Sequence, residues 1–365
     1  LTAKDLDNKY ISSFVDLSAI APGVTVAKNE GFKTIISIRG VGNEANQNAT
    51  ANPSVSYHMD GIYIASPYAL QTDFIDIERI EILRGPQGTL FGQNSTGGAI
   101  NVISAQPNFE EFVGRADLSL GTDNLRKVRA TVNVPINDDL AMRTSFSKVK
   151  QDGYTQNVYN GPNALNPTET FVGKDMDNID NLSMRTDWMW KPSDTLNLRF
   201  LAQYFSGESN GAGIKGIDDP TPGARNLSQD TDSLYELESQ VYGLIAEWDA
   251  GFAVIKSLTS YQKDDITVVR DNDRHSFDTN PEIQISVFNP EINIQTTFTQ
   301  ELNVISNEPL FGKFDWIVGA FYLDTDIEIT IREELDVGRD GVLDGYIPEF
   351  PAVFGGDRGF ISDSN

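Results

Sequence analysis

The chain has 365 residues, with 28 lysines and arginines against 53 aspartates and glutamates, a formal charge of −25. That balance excludes the basic face that nucleic-acid binding requires, so no nucleic-acid partner is expected. The absence of cysteine excludes a disulfide framework and any thiolate metal centre.

At this length a single hydrophobic core has stopped growing, so more than one structural unit is expected. No apolar run reaches the ~18 residues of a transmembrane helix, but barrel strands need only about 9–11 residues of alternating polarity. The opening Leu1-Thr2-Ala3 has neither the basic nor the apolar region of a signal peptide. The sequence is therefore expected to begin inside a longer precursor.

Residues 1–107 read as a compact mixed α/β unit. Ser12–Ile20 predicts a helix, with serine at the N-cap, apolar residues at Phe14, Leu17 and Ile20, and Pro22-Gly23 as its stop. Strands are predicted over Thr34–Arg39, Val55–Ile64, Arg79–Leu83 and Ala99–Ser104. Between the first two, Gly42–Thr50 is small and polar, which is loop composition.

After Pro107 the pattern changes to segments of about ten residues in which polar and apolar side chains alternate. Nine are predicted: Phe112–Leu120, Leu125–Val134, Leu140–Val149, Asn181–Trp190, Leu196–Phe205, Glu238–Trp248, Ala253–Gln262, Ile294–Ser306 and Phe314–Asp324. Asn181–Trp190 is the clearest, with Leu182, Met184, Thr186, Trp188 and Trp190 on one face. Long polar loops are predicted over Gln151–Asp180, Ser206–Leu237 and Lys263–Asn293, alternating with short turns. Long loops at one end, short turns at the other, and Trp188, Trp190, Trp248 and Trp316 near strand ends fit an outer-membrane barrel better than a soluble sandwich.

The stretch Glu78–Ala105, ERIEILRGPQGTLFGQNSTGGAINVISA, joins two strand-like runs through a glycine-rich connection. It resembles the plug signature of TonB-dependent outer-membrane receptors, carried by Glu78, Arg79, Gly85, Pro86, Gly88, Gly92, Gly97 and Gly98. Ile38-Arg39-Gly40 and the Met59-Asp60-Gly61 turn, with Asp60 and Gly61, resemble earlier parts of the same domain. The resemblance implies an N-terminal mixed α/β plug over residues 1–107, followed over 108–365 by antiparallel transmembrane β-barrel strands. Plugged transporters close with about 22 strands, so nine imply an incomplete barrel and a fragment.

For sites, the resemblance implies that plug arginines Arg39 and Arg84 lock against a barrel glutamate. Gln300-Glu301-Leu302-Asn303 resembles an early-barrel motif, which makes Glu301 the candidate partner. Glu78, Arg79 and Glu81 are expected to pair locally. Ligand contact is expected from the plug apices and extracellular loops, with Asn46, Gln47, Tyr63 and Tyr68 as candidates.

The function implied is active uptake of a scarce ligand, first a ferric siderophore, across the bacterial outer membrane. TonB-ExbB-ExbD, outer-membrane lipid and the ligand are the expected partners. Vitamin B12, an oligosaccharide or another metal chelate remain open as ligands, and a passive porin or a barrel enzyme as other classes. No nucleophile–base set is visible, so no catalytic residue and no enzyme activity are expected. With only His58 and His275 available, no histidine metal site is expected, and no cofactor beyond a transported iron chelate. Asp336–Asp344 has some calcium-loop spacing, but Gly338 and Ile347 occupy ligand positions, so it reads as an acidic turn.

Overall fold

The computed structural model describes residues 1–9, 11–29, 33–42, 53–163, 166–276, 286–288, 291–331, 334–336 and 345–346. The N-terminal domain begins with helix α1 (Ala3–Asn8), where the Asp5 carboxylate accepts from the Thr2 backbone N–H at 2.9 Å. The helix expected at Ser12–Ile20 is a short 3₁₀ turn, Val15–Ala19. Its serines are not the cap. Asp16 reaches back instead, accepting from the Ser12 and Ser13 backbone N–H groups at 2.8 and 2.9 Å. The apolar spacing was informative all the same, because Phe14 and Leu17 are fully buried.

Strands β1 (Val24–Asn29), β2 (Lys33–Ile38) and β3 (Val41–Gly42) form an antiparallel meander. A second sheet holds β4 (Val55–Met59), β5 (Ile62–Tyr63), β6 (Ile77–Arg84) and β7 (Gly98–Ser104) in the order β5-β4-β7-β6. The single strand expected over Val55–Ile64 is broken by Asp60 and Gly61, at φ +53° and +85°, and folds back on itself. The Glu78–Ala105 stretch forms the antiparallel β6–β7 pair, with Arg84 opposite Gly98. Gly98 is required there: at φ +147°, an added Cβ would lie 2.3 Å from the Leu83 carbonyl oxygen.

Nine long strands among the described residues make one antiparallel up-and-down sheet. They are β8 (Val113–Leu120), β9 (Arg126–Pro135), β10 (Leu140–Gln151), β11 (Ile179–Ser193), β12 (Leu196–Ser209), β13 (Leu234–Asp249), β14 (Ala253–Val269), β15 (Glu291–Ser306) and β16 (Ile317–Ile331). All nine expected strands are present, and several run further into the long connections than their alternation suggested. Those connections carry short strands of their own, such as Asn160–Asn163 paired with Asn166–Val172.

Polarity along these strands is inverted relative to a soluble sheet. Ser183, Arg185 and Asp187 of β11 are buried on the concave side, whereas Met184 and Trp190 are 45% and 49% exposed on the convex side. Phe200, Leu244, Trp248 and Leu302 continue the exposed apolar face. An apolar outer face around polar inward positions is what lipid selects. All four tryptophans lie at the short-turn rim, beside the connections at 194–195, 250–252 and 307–316.

The N-terminal domain sits against the concave face of this wall. One apolar core runs through both, containing Phe14, Leu17, Ile38, Ile80 and Ile100 together with Leu201, Val241, Ile245 and Leu258 of the wall.

Candidate functional site

The interface between domain and wall is where charge is concentrated. The tight turn between β4 and β5 points Asp60 at the wall, where its carboxylate is 1% exposed. The Ser104 backbone N–H donates to it at 3.0 Å and the Ser104 hydroxyl at 2.9 Å, which fixes its direction from within the domain.

From β11, Arg185 Nη2 reaches Asp60 at 2.6 Å and Asp187 at 3.1 Å. From β12, Arg199 donates through Nε and Nη2 to Asp187 at 2.8 and 2.6 Å, and its Nη1 lies 3.4 Å from Asp60. Two guanidiniums thus face two carboxylates in a buried cluster, and Ser104 Oγ accepts from both arginines. Burial pushes the Asp60 carboxyl upward, but the Arg185 and Arg199 charges outweigh it and the net shift is downward. Removing one member of such a set is costly because the remaining charges stay buried.

A second contact lies beside the first. Asp76, also left-handed at φ +53°, accepts two bonds from Arg143 of β10 at 2.5 and 2.7 Å and one from the Ser145 hydroxyl at 3.0 Å. Higher up, Gln262 of β14 bridges to backbone, donating to the Tyr63 carbonyl at 2.7 Å and accepting from the Ala65 N–H at 3.3 Å. Asn293 of β15 donates to the Tyr68 hydroxyl at 3.1 Å. Between the polar contacts, Ile62 packs over Gly243 of β13, where an added Cβ would lie 2.5 Å from Ile62 Cδ1.

The residues named from sequence fall differently. Arg39 and Arg84 are exposed, and Glu301 is half-buried with Asn303 donating to it at 2.6 Å. No ion pair joins either arginine to Glu301 among the described residues. The observed contacts have the opposite polarity, with carboxylates on the domain and guanidiniums on the wall. Arg79 pairs locally with Glu78 at 2.5 Å and Glu81 at 2.9 Å, as expected.

Tyr63 and Tyr68 are 6% and 2% exposed, and both take part in packing against the wall. The Tyr63 ring stands edge-on to Phe321 of β16, and its hydroxyl accepts from Asn94 at 2.7 Å. Asn46, Gln47 and most of Asp336–Asp344 lie outside the described residues. Arg185 and Asp187 were visible in the sequence as polar inward positions of an alternating strand, but nothing there showed which turn would meet them.

Two spaces flank the interface. A cavity of about 290 Å³ lies on its short-turn side, lined by residues that include Asp60, Asn101, Arg199, Glu247 and Lys256. At the long-loop end, Asn157 and Gln229 bond reciprocally, Ser228 meets Ser276, and His275 Nε2 lies 2.9 Å from Asp218. There the Asp271 carboxyl is pushed well up by burial and by Asp273 and Asp230. No metal-binding cluster is present among the described residues.

This arrangement can be set beside known proteins. Residues 1–99 match the TonB-dependent Receptor Plug Domain family. Residues 1–99 are a TonB-dependent receptor plug domain. The pesticin receptor of Yersinia pestis is 27% identical over 266 residues, covering 68% of this chain and 37% of that receptor. The chain therefore spans about 37% of the length of that curated relative.

Among solved structures, the ferric yersiniabactin uptake receptor of Yersinia pestis superposes with a TM-score of 0.71 at 19% identity, covering 92% of this chain and 49% of that one. The ferripyoverdine receptor of Pseudomonas aeruginosa, bound to ferripyoverdine, gives a TM-score of 0.68 at 13% identity, covering 95% and 46%. The domain against the wall is thus the plug, and the nine strands share the fold of these receptors' barrels.

Proposed function

We propose that this chain is the plug-bearing part of an outer-membrane receptor that takes up a ferric siderophore into the periplasm. TonB, with ExbB and ExbD, would supply the work. The observation that carries this reading is the plug itself, seated on the inner wall through buried ion pairs and a shared apolar core. A lumen filled in this way blocks diffusion, so crossing requires work on the plug. The names of the two solved structures support an iron chelate as the ligand. In this reading the long-loop end faces outward, and the short-turn rim with its four tryptophans faces the periplasm.

The test is uptake of labelled ferric chelates by cells carrying the full-length receptor, with and without an uncoupler and in a TonB-deficient strain. Surface binding should persist in all three conditions, and uptake should vanish with the uncoupler and in the TonB-deficient strain. Uptake proportional to external concentration in every condition would mean a passive porin.

A further inference from the structure

The three wall arginines at the plug interface lie on adjacent strands, Arg143 on β10, Arg185 on β11 and Arg199 on β12. All face the lumen. Their carboxylate partners are unequally distributed: Asp60 and Asp76 belong to the plug, and Asp187 alone belongs to the wall. With the plug seated, three positive charges meet three negative ones. Once Asp60 and Asp76 leave, the same patch holds three guanidiniums against one carboxylate.

Two further features point the same way. Arg185 Nε is buried without a hydrogen-bond partner, a spare donor inside the cluster. Arg199 and Asp60 also line the cavity of about 290 Å³ on the short-turn side, so the patch opens into space already present. That volume approaches the lower end of ordinary ligand sites.

We infer that Arg143, Arg185 and Arg199 form a concealed anion track along which an anionic chelate, carrying carboxylate or similar oxyanion groups, replaces the plug carboxylates and is passed to the short-turn cavity. Guanidiniums left without their carboxylates give the vacated lumen a positive field that attracts anions. A ligand that offers planar oxygen pairs answers that field and matches the guanidinium fork. The plug aspartates thus hold the ligand's place while the lumen is closed. This inference rests on the transporter reading above and adds the charge class of the ligand and the wall segment it follows.

The test uses the full-length receptor in planar bilayers under a KCl gradient, with the plug loosened by urea on the periplasmic side. The native receptor is compared with the triple variant Arg143→Gln, Arg185→Gln, Arg199→Gln, each checked for heat-modifiable migration as a folded barrel. The native pore should favour chloride over potassium. The variant should lose that preference by about threefold or more, since fixed charges lining a narrow lumen set its ion selectivity. Equal selectivity in the two, or no conductance in either, overturns the track.

If the triple variant does not fold, Asp60→Asn with Asp76→Asn keeps the arginines and frees them without urea. An anion-selective leak supports the track, and a cation-selective leak or none overturns it. Cell uptake of iron chelates of graded net charge separates the two readings. Energy-dependent uptake confined to neutral or cationic chelates sinks the track alone. Absence of any energy-dependent uptake sinks the transporter reading, leaving the conductance result to decide the track.

Discussion

At the scale of single residues, the interface ranks its charges by burial. Asp60 is held by Ser104 and faces two guanidiniums, whereas Arg84 is exposed. Asp60→Asn retains a residue that tolerates positive φ, so its effect reports the charge and not the turn. It should weaken plug seating by about 3–5 kcal/mol, read as passive entry of a bulky antibiotic and as earlier plug unfolding in urea. Arg84→Ala should change stability by less than about 0.5 kcal/mol. A leak in Arg84→Ala matching that of Asp60→Asn would return Arg84 to the lock. His58 makes a separate case. It is buried edge-on to Tyr63 and Phe91, its Nε2 lacks a partner, and burial pushes its pKa down to about 4. The folded plug therefore keeps His58 neutral while the unfolded chain protonates it near pH 6.5. Its contribution is complete above about pH 6.5 and is lost as pH falls toward 4, by about 3 kcal/mol in all. Urea unfolding of native receptor and His58→Phe across this range should show a shallower pH slope in the variant, and parallel slopes would remove His58 as the cause.

At the scale of elements, the wall strands were legible because lipid outside and plug inside impose period-two alternation on every one of them. Strand ends were less so: β12 continues four residues past Phe205 into Ser206-Gly207-Glu208-Ser209, which reads as loop by composition. The plug sheet was largely legible through its β-rich runs. The Asp60-Gly61 reversal was visible as a turn, but not as the tip that docks. The contacts seen on this wall were not named, because Arg39, Arg84 and Glu301 came from family position, while Asp60 and Arg185 meet across more than a hundred residues of chain. Gly243 was also silent. It is one glycine inside a strand, and its meaning lies in Ile62 packing over it. Gly243→Val should overpack that contact and weaken plug seating by about 1–3 kcal/mol. Adding Ile62→Ala should recover part of the loss in a double-mutant cycle. Strictly additive effects would show that the two side chains do not share the space.

At the scale of the whole molecule, the plug and wall share one apolar core and balance their buried charges across a single boundary. The positions of the two lock points on the plug add a mechanical property. Asp76 immediately precedes β6, and its carbonyl accepts from the Ala105 N–H at 2.9 Å. The first residue of β6, Ile77, lies opposite Ser104 on β7, and Ser104 is the group that orients Asp60. Asp76 and the Ser104 that orients Asp60 therefore sit at the same end of one strand pair. Leu1 accepts from the Ile80 N–H at 2.8 Å, and Thr2 bridges to Arg79, so tension on the chain's first residues is delivered straight to β6. Pulling on the first residues of the receptor should therefore release both lock points in one rupture event, and two separate events would show that they act independently.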